Sequence, residues 1–264
     1  MKVFVELDNS KYEIDILNGV DISIPLDFKN NNNPTFYDTA PPNVNYYKYA
    51  NKEYNLDKNG SCNVPIISFN IHCAGTHTES GNHINKECST INNLNIPHFI
   101  PSQVISVIPE KSTLESYHVK YLEDDLYITK ENLSRIIDVK SKSFNKALII
   151  RTLPNIKSKI NHNYDNFHHP YLTNDAINFI KELGFNHIVI DTPSIDRYDD
   201  NGMLGNHHIF FKNKNDSINN NTVTEFAYIP DTIIDGEYFL NLNISNFKLD
   251  AAPSRPYIYF IKKL

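Results

Sequence analysis

Two apolar runs, Ala147-Leu148-Ile149-Ile150 and Ile188-Val189-Ile190, stand on either side of a stretch with helical spacing, and together they constrain the fold more than anything else in the chain. Lys146 to Thr152 reads as a buried strand. Thr173 is placed to cap a helix that carries Ala176, Ile177, Ile180 and Leu183 on one face, with Gly184 just past its end. His187 to Asp191 reads as a second buried strand. Strand, helix and strand in that order make a βαβ crossover, and a crossover of this length joins parallel neighbours.

Strands dominate elsewhere. Val3 to Leu7 and Tyr12 to Ile16 alternate in polarity around Asp8-Asn9-Ser10-Lys11 and predict a β-hairpin, set as an extension over residues 1–19. Val20 to Leu26 is a further extended piece. Ile66 to Ile71 reads as a strand leading into a motif discussed below. Thr129 caps a helix through Asp138 with Leu133, Ile136 and Ile137 on one face. Thr222 to Ile229, Tyr238 to Ile244 and Tyr257 to Ile261 are expected strands. Residues 28 to 60 show no period and form a long loop; its aromatics, Phe36, Tyr37, Tyr46, Tyr47 and Tyr49, either wall a pocket or pack the loop down. The result is a mixed sheet with few helices. With no internal repeat and no linker, all 264 residues are expected to form one domain.

Composition narrows the function. With 25 Lys+Arg against 31 Asp+Glu the net charge is -6, which argues against a nucleic-acid surface. No apolar run approaches the ~20 residues of a membrane helix. The start, Met1 to Asp8, is charged where a signal peptide is apolar. Three cysteines make a poor disulfide framework, and a reduced cytoplasmic protein is the expectation.

The chemistry concentrates in Cys73-Ala74-Gly75-Thr76-His77-Thr78-Glu79-Ser80-Gly81-Asn82-His83. If the strand continues, alternation puts Cys73, Gly75, His77 and Glu79 on one face and turns His72 to the other. Gly75-Thr76 lets the backbone turn so that His77 approaches Cys73. Thiolate, imidazole and carboxylate converging on one spot make a transition-metal site, with zinc the first choice. Two weaker signals stand further along. Asp191 to Asp196 leaves the end of a buried strand, where open α/β sheets place ligands, although on spacing alone a turn rich in capping residues is the better reading. His207-His208, taken as extended, sends only one imidazole into any site, and Glu225 lies in an apolar strand, either on a solvent face or bound to something. Cys62, Cys88, His118, His162, His168 and His169 lack such company and read as structural or surface residues.

In this order the pieces resemble the cyclase family of metal-dependent hydrolases, the family of bacterial kynurenine formamidase and isatin hydrolase. Its hallmark H-x-G-T-H-x-D-x-P-x-H lies over Cys73 to His83. Asp21 to Pro25, Leu148 to Thr152, Asp191 to Asp196, His207-His208 with Glu225, and Ala252 to Pro256 match further motifs, so the resemblance runs from about residue 20 to the end. It implies an α/β fold of the swivelling β/β/α type, a mixed β-sheet or barrel with flanking helices, and a homo-oligomer, often a dimer. It implies metal ligands Cys73, His77, Glu79, His207 and Glu225, with Glu79 able to bridge two ions, and His83 as the proton-transfer residue. Cys73, Glu79 and Gly81 depart from the family's His, Asp and Pro. The sulfur tilts the ion toward zinc and away from manganese, and the longer carboxylate admits one ion as well as two.

The expected activity is that of a zinc-dependent amidohydrolase (arylformamidase-like, acting on C–N bonds other than peptide bonds), in which metal-bound hydroxide attacks a small amide, formamide or cyclic amide and His83 passes a proton to the leaving nitrogen. Two alternatives stand beside it. One is a thiol hydrolase with Cys73 as nucleophile and His77 or His83 as base. The other is a member that keeps the fold without the chemistry and serves in binding or assembly.

Overall fold

The computed structural model describes residues 1–165, 169–212 and 220–264; His168 lies outside them. Twelve strands carry the argument: β1 (Lys2–Leu7), β2 (Ser10–Asp15), β3 (Val20–Asp21), β4 (His77–Ser80), β5 (Ile100–Val107), β6 (Ala147–Thr152), β7 (His187–Ile190), β8 (Thr222–Glu225), β9 (Gly236–Asn241), β10 (Ala251–Pro253), β11 (Tyr257–Tyr259) and β12 (Ile261–Lys263). The helices are α1 (Lys130–Ile136), α2 (Asn174–Glu182) and α3 (Gly205–Phe211). Nine strands form one sheet in the order β10-β4-β8-β7-β6-β5-β9-β11-β3. Its centre, β5 to β8, is parallel, and antiparallel strands flank it on both sides.

The βαβ unit is as expected. β6 pairs in parallel with β7, Ala147 opposite His187 and Ile150 opposite Ile190. The Thr173 hydroxyl caps α2 by accepting from the Ala176 N–H, and Gly184 ends it at φ +90°. Every residue of β6 is buried, and its side chains divide between two cores. Leu148 and Ile150 join Ile188, Ile190 and Val223 against Leu133 of α1, Ile177 and Ile180 of α2 and Phe210 of α3. Ala147 and Ile149 face the other way, into the concave side, with Val189, Ile22, Leu240 and Ile258. Helices cover one face and the sheet curls over the other.

The hairpin of β1 and β2 turns at Asp8-Asn9, both at positive φ (45° and 62°), the geometry of a two-residue hairpin turn. β12 pairs with β2, so the end of the described chain adds a third strand beside the start. Thr129 caps α1 with a reciprocal capping box to Asn132.

Three expectations are corrected. The strand expected over Ile66 to Ile71 covers only Pro65–Ser68, pairs with Asn43–Tyr46 and is exposed throughout. The chain then turns through residues 71–73, so the alternation does not carry over to Cys73. His207 and His208 lie on a helix, α3, not on an extended segment. The loop over residues 28 to 60 contains short ribbons, Asn43–Tyr46 and Lys48–Tyr49 with Lys52–Glu53.

Candidate metal centre

β4 and β8 pair antiparallel with His77 directly opposite Glu225 and Glu79 opposite Val223. Facing residues and those two apart share a side, so His77, Glu79 and Glu225 project together toward α3, which delivers His207. Thr76 fixes the start of β4: its hydroxyl donates to the Phe226 carbonyl and accepts from the Ile24 N–H at 2.7 Å. Gly75 precedes it at φ +87°, and a Cβ there would meet Leu26 at 2.8 Å, so the turn needs glycine, as the sequence suggested. Gly205 opens α3 for a related reason: a Cβ would lie 2.2 Å from the His118 ring.

The four residues are buried, each at 3% exposure or less. His207 Nε2 stands 2.9 Å from Glu79 Oε1 and 3.5 Å from Glu225 Oε1, and His77 Nε2 stands 3.4 Å from Glu225 Oε2. On the far side of Glu79, Oε2 faces His72 Nδ1 at 3.3 Å and His83 Nε2 at 3.8 Å. One carboxylate therefore looks toward two sets of donors, His207 with Glu225 and His72 with His77, and within each set the donor atoms lie inside 4.8 Å of one another.

The second nitrogen of each histidine is anchored. His77 Nδ1 lies 3.2 Å from the Gly75 carbonyl, to which it donates, and His207 Nδ1 donates to Asp196 Oδ2 at 2.7 Å. The Nε2 atoms are thereby left to face inward. Asp196 is itself fully buried and takes the Asn206 and His207 N–H groups and the Tyr117 hydroxyl. Asp250 Oδ2 accepts from His72 Nε2 at 2.9 Å and from His83 Nδ1 at 3.0 Å.

The charges of these groups are strongly coupled. Burial alone raises Glu79, but the positive charge of His207 and His83 outweighs it and holds the carboxyl well below its usual range. Burial and the nearby Glu79 both push Glu225 up, and His207 and His77 bring it down. His207 is raised by the carboxylates around it despite its burial, and His72 likewise, to about 10. His77 Nε2 and both oxygens of Glu79 are buried without a hydrogen-bond partner among the described residues; even the close His207–Glu79 pair is not aligned as donor and acceptor. Two buried carboxylates, Glu79 with both oxygens left without a hydrogen bond among the described residues, and an inward-facing His77 Nε2 in the same state fit a divalent cation, whose binding displaces protons from its ligands.

The cavity over this cluster holds about 440 Å³. His72, Cys73 and His83 line it, and so do Phe36 and Tyr37 from the long loop and Tyr198 opposite. Tyr46, Tyr47 and Tyr49 do not; Tyr49 is 67% exposed. Cys73 belongs to none of the donor groups found among the described residues. It packs instead with Ile24, Phe36, Tyr164 and Phe226, and burial pushes its thiol up to about 11. His208 is exposed. Asp191, at the head of the second motif, is turned away from the cluster and binds Lys159 and Thr152. The sequence reading turned His72 away from the site and passed over Asp250, and it named Asp196 only as the end of the Asp191 to Asp196 motif, without its contact to His207.

A profile of the family described as Putative cyclase matches residues 20–197, more than half of the chain. The chain belongs to this family. It is 27% identical over 241 residues to a kynurenine formamidase of Bacillus cereus and 29% identical over 241 residues to one of Bacillus anthracis, covering 90% of this chain and 96% of each relative. Among solved structures, an isatin hydrolase bound to the product analogue thioisatinate superposes with a TM-score of 0.65 at 14% identity, over 93% of both chains. A potential metal-dependent hydrolase with cyclase activity gives 0.61 at 16% identity, over 92% of this chain and 98% of its own. The fold is the swivelling β/β/α arrangement of these structures.

Proposed function

We propose that the protein is a metal-dependent hydrolase of a small amide, formamide or cyclic amide, with zinc as its ion. The observation that carries this reading is the buried pair Glu79 and Glu225 facing inward-directed imidazole nitrogens on His77 and His207, a donor set of two nitrogens and carboxylate oxygens. His77, Glu79, His207 and Glu225 would hold the ion, and Glu79 is placed to touch a second. When bound, such an ion polarises a carbonyl and brings the pKa of a water beside it to about 7.

The chain's own groups supply the rest. Asp250 holds His83 by Nδ1, so Nε2 faces the cavity and passes a proton to the leaving nitrogen. Phe36, Tyr37 and Tyr198 form an aromatic wall, with ring centroids 4.1 Å apart for Phe36–Tyr37 and 4.9 Å for Tyr37–Tyr198. Such a wall suits a planar aromatic amide. The relatives named kynurenine formamidase and isatin hydrolase support that class of substrate. A thiol route is disfavoured, because a nucleophilic cysteine needs a lowered pKa and Cys73 is raised by burial.

Three free thiols suit a reducing cytoplasm. No described helix is long and apolar enough to cross a membrane. A dimer is the proposed assembly, and the ribbon strand Pro65–Ser68, with Ile66 and Ile67 54% and 52% exposed, offers apolar surface for it.

The test is turnover of a panel containing the formamide of kynurenine, isatin and simple anilides, before and after chelation and again after zinc is restored. The reading requires hydrolysis of at least one of them that is lost to the chelator and regained with zinc. Hydrolysis that persists through chelation and stops with a thiol alkylator would contradict it.

A further inference from the structure

Chain geometry separates His72 from Cys73 sharply. The strand before them stops at Ser68, and the turn that follows is pinned by the His72 N–H donating to Asn70 Oδ1 at 3.0 Å. That turn rotates His72, not Cys73, toward Glu79. We propose that His72 is the metal donor that this chain uses where the family motif places the residue aligned with Cys73, and that Asp250 is the positioning residue that aims it. The inference rests on the metal-centre reading above and assigns its remaining donor.

Three observations carry it. The donor atoms of His72, His77 and Glu79 lie within 4.8 Å of one another, and the His72 and His77 rings meet edge-on at 5.1 Å. Asp250 Oδ2 takes the Nε2–H of His72, which leaves Nδ1 as the lone-pair nitrogen, 3.3 Å from Glu79 Oε2. Cys73 sits in an apolar cluster, is 6% exposed, and joins no donor group among the described residues.

Asp250 does the same for His83 through the other ring atom. The two imidazoles stack at 4.2 Å and 30°, and one carboxylate oxygen binds both. Nδ1 of His72 and Nε2 of His83 are thus presented side by side to Glu79. The two departures from the motif belong together on this geometry: the donor comes from one residue earlier, and the carboxylate that meets it is one methylene longer.

Cobalt(II) titration of chelator-stripped full-length protein tests this, read by the optical spectrum and by stoichiometry. A thiolate ligand gives an intense sulfur-to-cobalt charge-transfer band in the near ultraviolet, and nitrogen and oxygen donors do not. The wild type is expected to bind cobalt without that band, and Cys73→Ser to bind it with an unchanged spectrum. His72→Ala is expected to weaken binding at least about tenfold, and Asp250→Asn by about 10–100-fold with the stoichiometry kept. A charge-transfer band in the wild type that Cys73→Ser abolishes would overturn the inference and leave the metal reading standing. That arm needs no His72 variant to fold. A wild type that binds neither cobalt nor zinc would overturn the metal reading and this inference with it.

Discussion

His83 is defined by what holds each end of its ring. Nδ1 is fixed by Asp250, and Nε2 is left toward the cavity at 3.8 Å from Glu79. Removing a single general acid–base costs about 10²–10⁴ in rate. His83→Ala is therefore expected to lower kcat by that factor while its metal content, measured by elemental analysis, stays at the wild-type level. Loss of the ion in this variant would make His83 a ligand and transfer the proton role elsewhere. His77, Glu79 and His83 were legible because each sits where local spacing alone decides its direction, on a short strand or the turn after it. His72 was misread because a period of two was extended past the end of a strand. Asp250 was illegible, and the role of Asp196 within its motif was too, for another reason: Asp250 acts on a ring 178 positions earlier, and Asp196 on one 11 positions later across a turn into α3. No spacing rule reaches either.

At the scale of the elements, the βαβ unit was readable because cap, apolar face and terminal glycine agree on one answer. β5 was not. Its sequence Ile-Pro-Ser-Gln-Val-Ile-Ser-Val looks too polar for a central strand, and only the structure shows Ser102 donating to the Tyr238 carbonyl and Gln103 to the Asp138 carbonyl. α3 escaped as well: it has seven residues, no side-chain cap, and Leu204 in a left-handed conformation before it. The turn into β4 gives a prediction with a definite sign. At ordinary backbone angles Gly→Ala stabilises by about 0.4–1 kcal/mol through the unfolded chain. At φ +87°, with Leu26 in the way, Gly75→Ala is expected to destabilise by about 1–2 kcal/mol in urea unfolding. A neutral or stabilising result would mean that the turn does not need this conformation.

Across the whole molecule, the sheet order brings β4 against β8 although some 140 residues separate them, and the candidate donors His77, Glu79 and Glu225 meet through that pairing. The same region of sheet carries a pH signature away from the site. His187 opens β7, is 5% exposed, and pairs through Nδ1 with the Thr222 hydroxyl at 2.9 Å. Burial lowers its pKa from 6.5 to about 4. Between those values the unfolded chain binds a proton that the folded chain refuses, so stability is full above pH 6.5 and falls as the pH drops toward 4. At pH 5 the loss is about 2 kcal/mol. The fall in stability between pH 7.5 and pH 5, measured by urea denaturation, is expected to be smaller by about that amount in His187→Asn. Equal falls in the two proteins would show that His187 is not the group responsible.

The central claim is that one cation is gripped jointly by β4 and by groups delivered from β8 and α3. Elemental analysis of protein purified without chelator, beside His207→Ala shown to be folded by circular dichroism, addresses it directly. The account predicts at least one zinc per chain in the wild type and its loss in the variant. A wild type that stays metal-free after reconstitution with zinc, or a variant that keeps the full complement, would contradict it.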